Sequence, residues 1–118
     1  TVWVPDEAQI DGVTAISGSG PAYVFHFIEC LQASGEALGF DAATARKLAI
    51  DTVLGSARLA AGSEDSPAVL RERVTSKGGT TAAALASFAA DHFPAVVDRA
   101  VAAAAARGRE LGEELGRD

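Results

Sequence analysis

"VTSKGGTT", residues 74–81, sets the reading of everything around it. To its left lies the charged segment "DSPAVLRER" and to its right "AAALASFAADHF", both with helical patterning. Gly78 and Gly79 allow backbone angles closed to other residues and let another group approach the chain closely. They lead straight into a helix start, whose free N–H groups and partial positive charge favour an anion. Ser76, Thr80 and Thr81 add hydroxyls that can donate, and Lys77 adds a charge. A glycine turn closed by a threonine N-cap is the plainer reading. A small-anion site is the other, because two glycines and four hydroxyls exceed what capping needs. Local chemistry leaves both open.

Outward from this turn the pattern stays helical. Asp6 is a plausible N-cap for a first helix through Asp11 and Ile16, with Glu7 in its first turn. "SGSGP", Ser17 to Pro21, interrupts it, and Ser19 and Pro21 suit the start of a new helix, so a break or sharp kink is expected. The next helix runs from Pro21 to Leu38. Val24, Phe25, Phe27, Ile28 and Leu31 leave it little polar face, which predicts a buried or central position. Gly39 ends it. Asp41 caps a third helix, Ala42 to Ala61, whose inner stripe is Ala45, Leu48, Ala49, Thr52, Val53, Ser56 and Leu59. Gly62 closes that helix. A short helix follows from Ser66 or Pro67 to Arg73. A fifth runs from Thr80 to Asp91, and Pro94 starts a last one to Leu115. In that last helix Val97, Val101, Ala104, Gly108, Leu111 and Leu115 are spaced by four, three, four, three and four residues. This is either a seam for another helix or an ordinary packing stripe within the chain. The fold class is therefore all-α, a bundle of five or six helices.

The 118 residues suffice for one domain with a modest core. With 48% hydrophobic and 22% charged residues the composition is that of a soluble globular chain. A net charge of −6 and scattered Lys and Arg argue against a nucleic-acid surface. No apolar run approaches the ~20 residues of a membrane span. The single cysteine, Cys30, excludes an internal disulfide and fits a reducing cytoplasm. The chain opens on Thr1 and contains no methionine, so it is expected to be a processed product or a piece of something longer. Residues 1–5, with Val2, Trp3 and Val4, have the character of a linker or strand remnant, and residues 6–118 that of the helical domain.

Other candidates are weaker. "GSGPAY", Gly18 to Tyr23, begins like a dinucleotide fingerprint but has no strand before it and no βαβ unit after it. His26, between Phe25 and Phe27, is expected to be a packed residue with one hydrogen bond, and His92 to titrate in solvent. Cys30 has no base beside it and is expected to be a buried small hydrophobe. Two histidines, one cysteine and no close carboxylate cluster give no metal site. Glu113 and Arg117 are placed for a local ion pair on a solvated face.

Taken together, "AISGSGPAYVFHFIE" (Ala15–Glu29), "LRERVTSKGGTTAAAL" (Leu70–Leu85) and the closing "AVAAAAARGREL" resemble, in order and spacing, the C-terminal domain of pyrroline-5-carboxylate reductases. The resemblance covers essentially the whole chain. Many relatives have proline where Lys77 stands. The resemblance implies an all-helical domain that interleaves with a second subunit, following an N-terminal Rossmann domain that this chain does not include. It implies reduction of 1-pyrroline-5-carboxylate to L-proline by NADPH or NADH, bound mainly by that other domain, in a cytoplasmic enzyme of proline synthesis. Homodimers and decamers of five dimers follow from the same likeness, while the charge and hydropathy above are what argue against a nucleic-acid or membrane partner. By motif, Ser76, Gly78, Gly79, Thr80 and Thr81 would bind the substrate carboxylate. Thr81 would be the catalytic candidate, a hydrogen-bond partner near the ring nitrogen, and Val74 would meet the cofactor through its backbone. The chain alone would then be inactive. The rivals are the helical domain of another Rossmann reductase for a different imine or carboxylate, and a non-catalytic helical interaction module.

Overall fold

The computed structural model describes residues 6–116. The proposed linker at residues 1–5 and the Glu113–Arg117 pair lie outside the described residues. Among those described, the fold is all-α: α1 Glu7–Val13, a π-helical turn Thr14–Gly18, α2 Gly20–Ala37, α3 Ala42–Ala61, α4 Pro67–Arg73, α5 Thr80–Ala90 and α6 Phe93–Glu114. The chain divides into two compact units. Of the described residues, one takes 6–23 together with 89–116, and the other is Val24–Phe88.

In the first unit α1 starts where Asp6 accepts the Gln9 N–H, 2.9 Å away. At "SGSGP", where a break or sharp kink is expected, the chain makes a π turn and then a bend at Ser19 before α2 begins. The Ser19 N–H reaches back five residues to the Thr14 carbonyl at 2.8 Å, and Ser19 keeps right-handed helical angles (φ −89°, ψ −21°). The Tyr23 hydroxyl donates to the Ala15 carbonyl at 2.8 Å and the Ser17 hydroxyl to the Val13 carbonyl at 2.9 Å. Helix α6 packs against α1 and the π turn. Small residues permit this approach: a Cβ on Gly108 would sit 3.4 Å from Asp11 Oδ1, and Gly112 is buried. Of the predicted α6 stripe, Gly108 therefore packs within the chain, whereas Val97, Leu111 and Leu115 are exposed. His92, expected only to titrate in solvent, is exposed but also holds the left-handed position (φ 58°, ψ 45°) that turns the chain into α6.

In the second unit Gly39, at φ +109°, ends α2, and Asp41 caps α3 by accepting the Thr44 N–H at 2.7 Å. Helices α2 and α3 meet closely at one point: a Cβ on Gly35 would lie 3.1 Å from that of Ala45. Ala45 and Ala49, from the predicted inner stripe, are buried, whereas Leu48 and Leu59 are exposed. Ser66 caps α4 by accepting the Val69 N–H at 3.2 Å, with Pro67 at its first position.

The expected burial of α2 is not found in the single chain. No residue of α2 is buried, and Val24, Phe25 and Phe27 are all exposed. Cys30 is exposed as well, and His26 is exposed with its Nδ1–H donating to Glu29 Oε1 at 2.9 Å. The reason is a shortage of covering elements. Among the described residues the buried hydrophobic side chains are Ala15, Ala45 and Ala49, and no large side chain is fully buried.

Candidate functional site

The turn at residues 74–81 is built by α4 on one side and the start of α5 on the other, both within the second unit. The Thr75 hydroxyl donates to the Arg71 carbonyl at 2.6 Å and the Thr75 N–H to the Glu72 carbonyl at 3.1 Å. Thr75 is thus used in closing α4. Next, the Gly79 N–H donates to the Ser76 carbonyl at 3.1 Å, making Lys77 and Gly78 the central residues of a β-turn. Gly78 takes φ +75°, while Lys77 is not among the residues of positive φ. This is the type II pattern, which needs glycine at its third position and suits proline at its second.

Gly79 has a different reason to be glycine. A Cβ there would lie 2.5 Å from Ser76 Oγ and 3.3 Å from the Ser76 carbonyl oxygen. The Ser76 hydroxyl lies against the space a side chain would fill. The Gly79 carbonyl accepts the Ala83 N–H at 3.1 Å, so Gly79 is itself the N-cap of α5. The plainer sequence reading, a threonine cap, therefore gives way. The capping residue has no side chain, and Thr80 and Thr81 are inside the first turn of the helix. Among the described residues, the Thr80 and Thr81 N–H groups and the hydroxyls of Ser76, Thr80 and Thr81 have no hydrogen-bond partner. Ser76, Lys77 and Thr80 are exposed, and Thr81 is half-buried. Lys77 makes no ion pair among the described residues. Unsatisfied donors of this kind, with the helix dipole behind them, favour a carboxylate or other small anion.

The structure brings Ser76, Gly78, Gly79, Thr80 and Thr81 into one turn, with Val74 at its entrance as the residue following α4. Val74 is exposed, and its carbonyl accepts no backbone hydrogen bond among the described residues. Sequence reasoning missed a network behind α4. The Asp65 N–H donates to Ser63 Oγ at 3.0 Å, and Asp65 Oδ2 receives the Arg73 guanidinium. Its only signal was an acid just before a short helix and an arginine at that helix's end. Among the described residues no group of three His, Cys, Asp or Glu side chains could hold a metal, and no helix is long and apolar enough to cross a membrane.

The sequence profile of the family described as pyrroline-5-carboxylate reductase dimerisation matches residues 7–111. The chain belongs to this pyrroline-5-carboxylate reductase dimerisation family. It is 52% identical over 115 residues to the pyrroline-5-carboxylate reductase of Pseudomonas aeruginosa, covering 98% of this chain and 42% of that protein. The Haemophilus influenzae enzyme of the same name is 46% identical, over 94% of this chain and 41% of its own length. Among solved structures, a pyrroline-5-carboxylate reductase from Coxiella burnetii superposes with a TM-score of 0.89 at 44% identity, covering 93% of this chain and 41% of that one. The Plasmodium falciparum pyrroline carboxylate reductase with NADP bound superposes at 0.87 and 35% identity, covering 92% of this chain and 41% of that one. The dimerisation chain thus spans about two-fifths of the length of these relatives.

Proposed function

We propose that this chain is the helical dimerisation and substrate-binding part of a pyrroline-5-carboxylate reductase, converting 1-pyrroline-5-carboxylate to L-proline with NADPH or NADH. The observation that carries the reading is the N-terminus of α5. It is capped by a glycine, and among the described residues the Thr80 and Thr81 N–H groups and the hydroxyls of Ser76, Thr80 and Thr81 have no hydrogen-bond partner. The substrate has one carboxylate to place there. The Ser76 hydroxyl and the N–H groups of Thr80 and Thr81 hold it. The Gly79 N–H is already given to Ser76, so Gly79 contributes space and close approach rather than a donor.

Holding the carboxylate orients the C=N carbon, which is positioning catalysis. The bound nicotinamide supplies the hydride that this carbon accepts. The exposed Val74 carbonyl is a fitting acceptor for a carboxamide N–H, and the main dinucleotide contacts are assigned to a Rossmann domain outside this chain. The ring nitrogen must gain or keep a proton as the hydride arrives. Thr81 is half-buried and its hydroxyl has no other partner among the described residues, so it orients that nitrogen. An alcohol is too weak an acid to protonate it at neutral pH, so the nitrogen is taken as already protonated, as the iminium, before the hydride arrives, and the amine product gains its second proton from solvent. A second copy of the chain covers the exposed face of α2, and dimers assemble further where the family's decamers form. A lone exposed cysteine suits the reducing cytoplasm in which proline is made.

The test is NADPH- and NADH-dependent reduction of 1-pyrroline-5-carboxylate by a full-length protein carrying this chain, with the 118 residues alone alongside. An active full-length protein and a silent chain are expected. A full-length protein that binds the nucleotide yet reduces no pyrroline-5-carboxylate would move the turn to a different imine or carboxylate.

A further inference from the structure

We infer that the Asp65–Arg73 pair is a clamp that fixes the entrance of the 74–81 turn, which makes both of them positioning residues for the carboxylate held there. The clause on the carboxylate rests on the proposed function, but the clamp itself does not. Helix α4 has only seven residues, too few to hold its shape by its own hydrogen bonds. It is fixed instead from both ends. Ser66 caps its start, and the Thr75 hydroxyl and N–H close its end on Arg71 and Glu72. Asp65 joins the two ends. Its own N–H is tied to Ser63, and its carboxylate takes the guanidinium of Arg73, eight residues on. Arg73 is bonded directly to Val74, so the clamp sets where the turn begins.

Exchange of the Thr75 and Gly79 amides, followed by NMR on the 118-residue chain, tests the clamp without any chemistry. Asp65→Asn and Arg73→Gln should each raise their exchange about two- to fivefold, the range of a partly exposed ion pair. Amides of α3 should not change, nor should Arg71→Gln have an effect, since it removes a neighbouring charge that makes no ion pair among the described residues. In the full-length protein the same two variants should raise KM for 1-pyrroline-5-carboxylate by a similar factor with kcat nearly unchanged. The exchange of charges, Asp65→Arg with Arg73→Asp, should recover part of the loss. Unchanged exchange at Thr75 and Gly79, or an equal rise in α3, overturns the clamp. Raised exchange with unchanged KM overturns the positioning role. If the wild-type protein reduces no pyrroline-5-carboxylate, the functional reading fails, and the exchange measurement still decides the clamp.

Discussion

Gly78 and Gly79 stand side by side for unlike reasons, and substitutions at the two should fail differently. Gly78→Ala keeps all contacts but forces a Cβ onto φ +75°, which costs about 1 kcal/mol. Thermal unfolding should show that loss, with substrate affinity little affected in whatever fraction is folded. Gly79→Val pushes into the Ser76 hydroxyl and carbonyl. Its expected signature is lost carboxylate binding in the full-length enzyme with the helical circular dichroism of this chain retained. Thr81→Ala should likewise leave the chain folded while lowering kcat/KM on the order of a hundredfold, the scale of a misplaced reacting group. An unfolded Thr81→Ala would make the residue structural and remove it from the site. That this stretch is a glycine turn opening a helix was legible from sequence, while local chemistry left capping and anion binding both open. Two details were not legible. The donation of the Gly79 N–H to Ser76 depends on turn geometry, and Asp65 with Arg73 lies outside the three- and four-residue spacings by which helical pairs are recognised.

The same contrast runs through the elements. Helix ends were readable wherever a side chain or a glycine does the work, as at Asp6, Gly39, Asp41 and Ser66. The π turn was not, because the Ser19-to-Thr14 bond has no residue signature, and "SGSGP" looks like a break whether or not the hydrogen bonding continues. Nor was the left-handed His92, where glycine or asparagine is the usual sign. Asp41 offers a test by pH. The Thr44 N–H bonded to its carboxylate, and the Thr44 hydroxyl after it, hold its carboxyl below the ordinary aspartate value of 3.8. A lowered folded value means the stabilisation is complete above the unfolded pKa and is lost as pH falls through the folded one. The start of α3 should therefore weaken below about pH 4, where an unpaired aspartate titrates. Asp41→Asn keeps a capping oxygen without the titration. Its helicity should show a smaller drop in that window than the wild type, when both are followed by circular dichroism from pH 6 to pH 2.5. Equal drops would assign the acid transition to other carboxylates.

At the scale of the molecule, the three buried alanines cannot offset the conformational entropy of ordering more than a hundred residues. The apolar side chains that could do so are present but uncovered: Phe25 is 68% exposed, Val24 45% and Phe27 40%, all on α2. The apolar pattern of α2 reads as that of a buried helix, yet no residue of α2 is buried in the single chain, and no pattern within one chain tells what would cover it. If the cover is a second copy, folding and association are one equilibrium, and stability depends on protein concentration. The melting temperature of the 118-residue chain should then rise as concentration is raised, and its mass in sedimentation should be that of a dimer or a higher multiple. Phe25→Asp places a charge where the uncovered face is widest. It should lower the mass toward the monomer and lower the melting temperature with it, because among the described residues of a detached chain no large side chain is fully buried. A Phe25 that merely faces solvent would respond otherwise. Its replacement by aspartate would leave mass and melting temperature where they were, and α2 would have to be covered from some other part of the protein.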